Sequence, residues 1–263
     1  MNSYLDKIIE QTASTVELDK QKIPLHELKS YISDLSNTKG FFETIKTRHN
    51  EGLVSVIAEI KKASPSQGLI RENFNPKDIA QSYQESQATC LSILTDAPYF
   101  QGSLEDLASV REVVGLPLLR KDFIVDEYQI YQSRFYGADC VLLIASVLSD
   151  VKLNEFKEIA QELNLDVLIE VHDKSEMERA KKLDFPLIGI NNRDLKTFKV
   201  NLETTINLSA DLKDKIIVSE SGIKTKEDIN RILSSGTKTF LVGESFMRAP
   251  NPGEELKKLF FSC

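Results

Sequence analysis

The chain has 263 residues, a formal net charge of −7, and 28% charged against 41% hydrophobic residues, an ordinary globular balance. The acidic balance argues against a nucleic-acid or membrane-surface partner, and an anionic ligand needs local cations to offset the repelling field. The longest apolar run, CVLLIA at 140–145, is far too short to span a bilayer, and the N-terminus has no signal-peptide core, so the expected location is the cytoplasm.

The first ~50 residues carry two helix-like stretches, SYLDKIIEQTAS and PLHELKSYISDL. They stand outside the pattern that follows. Short β-branched runs then begin at 54, 89, 117, 139, 166, 187, 215 and 238. Amphipathic segments separate them, such as PKDIAQSYQES, SLEDLASVREVV and KTKEDINRILSSG. Several open on Ser, Asp or Pro and several close on Gly, as helix caps require. Eight βα units at this pitch predict a (β/α)8 TIM barrel, with a doubly wound open sheet as the alternative. The expected organisation is one barrel domain over 1–263, with residues 1–50 an N-terminal helical extension serving as a lid.

Side chains alternate along a strand. In VSVIAEI, Val54, Val56, Ala58 and Ile60 share one face, while Ile57, Glu59 and Lys61 share the other. The apolar face suits the helix layer, so Glu59 and Lys61 point to the barrel axis at its C-terminal mouth. The same alternation turns Glu170 and Asn191 inward, Lys121 ends the third strand, and Glu220 ends the seventh. Six polar residues from five strands therefore converge where barrel enzymes keep their active sites. A solvated set of strand ends, or a structural salt-bridge cluster, is the plainer alternative.

The loops after the seventh and eighth strands read Ser221-Gly222 and Gly243-Glu244-Ser245, each followed by a helix start. Barrels often bind phosphate at these two loops, through backbone N–H groups. Glu244 has to turn away from such an anion. His26, His49 and His172 lack metal-ligand spacing, and there is no Walker A or GxGxxG sequence. Cys90, Cys140 and Cys263 form no CxxC pair and read as free thiols in a reducing compartment.

The blocks VIAEIKKASPSQG, LLRKDFIVDEYQI, ADCVLLIA, VLIEVHD, IGINNRDLKTF, IVSESGI and FLVGESFM run in one order over residues 54–247. In that order they resemble the indole-3-glycerol phosphate synthase family of tryptophan biosynthesis. The resemblance implies closure of an indole ring from 1-(2-carboxyphenylamino)-1-deoxyribulose 5-phosphate, with loss of carbon dioxide and water. It implies no metal and no organic cofactor, and a phosphorylated small molecule as the partner of a monomer. By the same resemblance Lys121 is the general acid of ring closure, and Lys61 holds the substrate carboxylate and serves as a second acid. Glu170 is the base of the dehydration. Glu59, Asn191 and Glu220 hold the lysines and the substrate hydroxyls. Ser64, Ser221, Gly222 and Gly243 match phosphate-binding positions. Phe100 and Phe123 match positions against the aromatic ring, and Arg193 and Leu195 match positions near the mouth. The chain departs from the pattern at Gln67, where the family often carries a basic residue. A sister isomerase barrel and a non-catalytic phospholigand-binding barrel are the alternatives. The isomerase family has a Cys at the end of its first strand, where this chain has Glu59 and Lys61.

Overall fold

The computed structural model describes residues 4–194, 197–210, 212 and 214–262. Eight parallel strands close on themselves: Ser55–Ile60, Cys90–Leu94, Leu118–Lys121, Cys140–Ile144, Asp166–Val171, Leu187–Asn191, Ile216–Glu220 and Thr239–Val242. Each pairs with its neighbour in sequence, and the first closes on the eighth with Ser55 opposite Thr239 and Ala58 opposite Val242. Helices follow the strands, so this is a (β/α)8 barrel and not an open sheet. Closure leaves the barrel without a sheet edge, while Ala63–Ser64 and Gly68–Leu69 pair as a separate two-stranded sheet in the first loop.

Two hydrophobic cores follow from the strand alternation. Val56, Ala58, Ile60, Leu91, Ile93, Val141 and Leu143 face outward and pack against the helices. Ile57, Cys90, Leu119, Cys140, Leu142, Leu168, Val218 and Leu241 fill the barrel interior. Cys90 and Cys140 are buried free thiols, while Cys263 lies outside the described residues. The helices start where the sequence places their caps. Asn75, Ser103, Ser149 and Asp173 accept from helix N-terminal amides, and Asp126 and Thr225 form capping boxes.

The N-terminal segment forms three helices: α1 (Tyr4–Lys22), α2 (Leu25–Ile32) and α3 (Phe41–Asn50). Only α1 reaches the mouth. Its residues Ile8, Thr12 and Val16 are buried, one every four residues, which marks a single inward stripe. Val16 and Leu28 pack on Tyr128 and Tyr131 of the helix Glu127–Phe135. The third helix, α3, sits at the opposite end of the barrel. Phe41 and Ile45 are fully buried among the interior residues Ile57, Cys90 and Cys140. The Lys39 and Phe42 amides donate to Asp139 and Asp166, at the starts of the fourth and fifth strands, at 2.7 and 2.9 Å. Carboxylates thus satisfy amides that the start of a helix leaves unpaired. Among the described residues no helix is long and apolar enough to cross a membrane.

Candidate active site

The C-terminal mouth holds a cavity of about 700 Å³. Glu59, Lys61, Lys121, Glu170, Asn191 and Glu220 all line it, as do Ser64, Phe100, Phe123, Arg193, Ser221, Gly222 and Gly243. Leu195 lies outside the described residues. Strand geometry alone brings the six polar groups together. Each sits at or just past the end of an inward-facing series, so closing the sheet aims them at one axis.

The charges are tightly paired. Lys61 Nζ lies 2.5 Å from Glu59 Oε2. Lys121 Nζ lies 2.6 Å from Glu170 Oε2 and 3.2 Å from Glu220 Oε2. Asn191 Nδ2 donates to Glu170 Oε1 at 3.1 Å, and Asn191 Oδ1 accepts from the Arg193 amide at 3.0 Å. Glu59, Glu170 and Glu220 are each under 5% exposed, so these charges interact with little screening.

Burial alone would lower the Lys121 pKa. The charges of Glu170, Glu220 and Glu59 outweigh burial and hold the ammonium well above its ordinary range. Burial raises Glu170, but Lys121 and His172 reverse this and keep it a carboxylate far below the usual range. Burial and the neighbouring Glu170 and Glu59 charges push Glu220 up to about 8, against the pull of Lys121. Near neutral pH Glu220 therefore holds a proton beside the ionised Glu170. Glu220 Oε1 has no hydrogen-bond partner among the described residues.

Two glycines make room for these carboxylates. A Cβ on Gly189 would run into Glu220 Oε1, and a Cβ on Gly243 would run into Glu59 Oε2. Gly243 thus serves the first-strand ion pair as well as the eighth loop. Replacing it by alanine is expected to displace Glu59 from Lys61. We expect kcat/KM to fall roughly 10²-fold, with kcat sharing the loss, in a protein that still folds. Steady-state kinetics check this: a change confined to KM would leave Gly243 with a phosphate role alone.

The two loops at the other side of the mouth are joined. The Ser245 hydroxyl donates to the Ile223 carbonyl at 2.7 Å. Ser221 and Gly222 take successive left-handed conformations, with φ of +67° and +84°. For a serine this costs about 1–3 kcal/mol and is held by its surroundings. Here Asn192 Nδ2 holds the Ser221 carbonyl at 3.1 Å. Glu244 lines the cavity with its carboxylate paired to two arginines. Its carboxylate meets Arg248 Nε at 3.1 Å and Arg193 Nη2 at 3.6 Å. Arg248 also donates to Gln67 Oε1 at 2.9 Å, so a guanidinium stands beside Gln67.

Several residues here escaped the sequence reading. Asp96 caps the short helix Ala97–Phe100, accepting from the Tyr99 and Phe100 amides at 2.7 and 3.0 Å, and so sets the position of Phe100. Its burial pushes its pKa up to about 6. Asp122 anchors the strand end beside Lys121, binding Thr95, Arg120 and the Phe123 amide. The Phe100 and Phe123 rings lie 6.3 Å apart. Tyr4 of α1 packs edge-on against Tyr99 and Phe198, at 5.6 and 5.8 Å, across the rim.

A family model described as indole-3-glycerol phosphate synthase matches residues 5–259. The chain belongs to the indole-3-glycerol phosphate synthase family. Relatives of that name are 48% identical in Neisseria meningitidis serogroup C and 47% identical in Neisseria gonorrhoeae. Each comparison spans 99% of this chain and 100% of the relative. Among solved structures, 3-hexulose-6-phosphate synthase from Salmonella typhimurium aligns with a TM-score of 0.63. It is 12% identical and covers 78% of this chain and 96% of that one, a likeness of fold alone. The family consists of carboxy-lyases of tryptophan biosynthesis, and this chain is an enzyme of that class. Membership decides against the isomerase and the non-catalytic barrel.

Proposed function

We propose that the paired charges at the mouth convert 1-(2-carboxyphenylamino)-1-deoxyribulose 5-phosphate to indole-3-glycerol phosphate. The observation that carries this reading is the convergence of two lysines, three carboxylates and Asn191 on one cavity flanked by the Ser221-Gly222 and Gly243 loops. In ring closure the aromatic carbon bearing the carboxylate attacks the ribulose C2 carbonyl. Lys121 protonates the developing alkoxide. An acid drawn down toward neutrality would be the simplest design, but Lys121 is held charged instead. It still donates effectively, because an alkoxide is more basic than an amine. Glu220, carrying a proton 3.2 Å from Nζ, is placed to return it. Carbon dioxide then leaves and aromatic character is restored.

Dehydration follows. Lys61 protonates the departing hydroxyl after holding the anthranilate carboxylate, and Glu170 takes the proton lost from the ring. Phe100 and Phe123 flank the aromatic part. Arg193, Ser64 and the backbone of Ser221, Gly222 and Gly243 take the phosphate. The α1 helix acts as the lid, with Tyr4 spanning the rim. The same reading has a cytoplasmic monomer acting on a small phosphorylated molecule, with no nucleic-acid or membrane partner; the net charge of −7 supports it.

The test is direct. Protein mixed with the carboxyphenylamino-ribulose phosphate should develop indole fluorescence, and inorganic phosphate should inhibit competitively. Glu170→Gln should let a decarboxylated, undehydrated intermediate accumulate in a single turnover, detected by quenching and mass spectrometry. No fluorescence at high enzyme concentration would sink the reading. An intermediate that fails to accumulate would remove Glu170 from the dehydration.

A further inference from the structure

One titratable side chain beside the site is left unused by this scheme. His172 stands two residues beyond Glu170, just past the end of the fifth strand. It does not line the cavity. Its imidazole is 14% exposed and wedged between two carboxylates. On one side, Glu176 Oε2 takes both the His172 backbone amide, at 2.8 Å, and Nδ1, at 3.1 Å. Glu176 is itself fixed in the first turn of the helix Lys174–Lys182, where its amide donates to the capping Asp173 at 2.9 Å. On the other side, Nε2 lies 3.2 Å from Glu170 Oε1, an ion-pair contact without hydrogen-bond alignment.

We propose that His172 is a positioning residue for the reaction: oriented by Glu176, it holds Oε1 of Glu170 as a fixed cation and leaves Oε2 turned to Lys121 and the cavity. The inference rests on Glu170 being the base of the dehydration. Asn191 Nδ2 also donates to Oε1, so a hydrogen bond and the imidazolium charge both meet that oxygen while Oε2 meets the lysine. The arrangement solves a problem of order. Glu170 is 2% exposed, and Lys121 is its nearest countercharge. When Lys121 gives up its proton at ring closure, a buried carboxylate left alone would rise in pKa and take a proton too early. His172 supplies a positive charge that does not take part in that step. Burial opposes its charged form, but Glu170 and Glu176 push its pKa up to about 10, so it stays protonated through neutral pH. The other charged groups facing Glu170 are Lys121 on the third strand and Glu220 on the seventh, with Glu59 on the first acting through them. None of these can replace the histidine: Lys121 is the group that gives up its proton, and Glu220 and Glu59 carry no positive charge.

The sign is fixed by charge. Removing a cation from beside a carboxylate raises the carboxylate pKa, so the acidic limb of kcat must move to higher pH. In His172→Asn that limb is expected to rise by about one unit or more, which lowers kcat roughly tenfold at the foot of the profile, with KM little changed. A merely structural histidine would alter stability or KM and leave the limb in place. Glu176→Gln keeps the acceptor but removes the charge that supports His172, and should move the limb the same way by less. The charge is read without substrate by 15N NMR of the histidines. In the wild type the His172 ring should carry both protons up to at least pH 8, and in Glu170→Gln it should titrate at lower pH. A neutral His172 at pH 7, or an unmoved limb in a folded His172→Asn, overturns the proposal. If the wild type fails to turn over the substrate, the reading of the reaction falls, while the NMR titration still decides the ion pair.

Discussion

Lys121→Ala is expected to lower kcat by roughly 10²–10⁴-fold, the usual worth of a positioned general acid, while the substrate still binds. The ammonium lies between Glu170 and Glu220, 2.6 Å from one carboxylate and 3.2 Å from the other. Its removal takes away the proton donor and leaves two buried carboxylates facing each other. Glu170 then keeps His172 as its charged partner among the described residues, and Glu220 loses the group that pulls its pKa down. Two consequences can be measured. The first is the fall in kcat, with KM changed far less because Lys61 and the loops proposed to take the phosphate remain. The second is a gain of protons by the site, seen as a shift of the remaining activity to higher pH. Lys61→Ala should behave differently, raising KM, because Lys61 pairs with Glu59 and not with Glu170 or Glu220. If Lys121→Ala keeps near-normal kcat while Lys61→Ala loses it without a change in binding, the two roles are exchanged.

The strand ends were readable because their information is local. Alternation in VSVIAEI fixes which way Glu59 points once the apolar face is known, and closing eight such strands does the rest. His172 obeys the same parity as Glu170, two residues earlier, but reading histidines for metal spacing passed over it. By the same alternation Gly189 shares the inner face with Asn191. An inner-face glycine in a strand marks close approach of another group, yet that group, Glu220, lies on the adjacent seventh strand. The Asp96 cap and the Asp122 anchor depend on burial, and burial is set by the whole fold. The pKa pattern lay further out of reach. It arises from three carboxylates brought around one lysine by strands separated by up to 161 residues, from Glu59 to Glu220.

The N-terminal extension shows why sequence position is a poor guide to role. Its apolar helix faces, with no strand of their own, suggest that the whole of residues 1–50 is a lid over the mouth. The packing divides it instead. Phe41 and Ile45 are fully buried and fill the barrel interior from its N-terminal end, against Ile57, Cys90 and Cys140. Removing a buried phenylalanine costs about 3–5 kcal/mol, through lost transfer energy and the cavity left behind. That is a large share of the roughly 5–15 kcal/mol that stabilises a typical domain. Phe41→Ala is therefore expected to lower Tm by roughly 10 °C. A deletion of residues 1–45 removes both plugging side chains and the amides that satisfy Asp139 and Asp166. It should yield an aggregated or largely unfolded chain. A deletion of residues 1–22 takes away only α1. The plug stays, so the far-UV spectrum of an α/β barrel should persist, while KM rises because Tyr4, Leu5 and Ile8 no longer line the cavity. Thermal melts and steady-state kinetics on the three variants separate the two roles. A 1–45 deletion as stable as the full chain would show that α3 is not part of the core, and a 1–22 deletion with unchanged KM would show that α1 is not the lid.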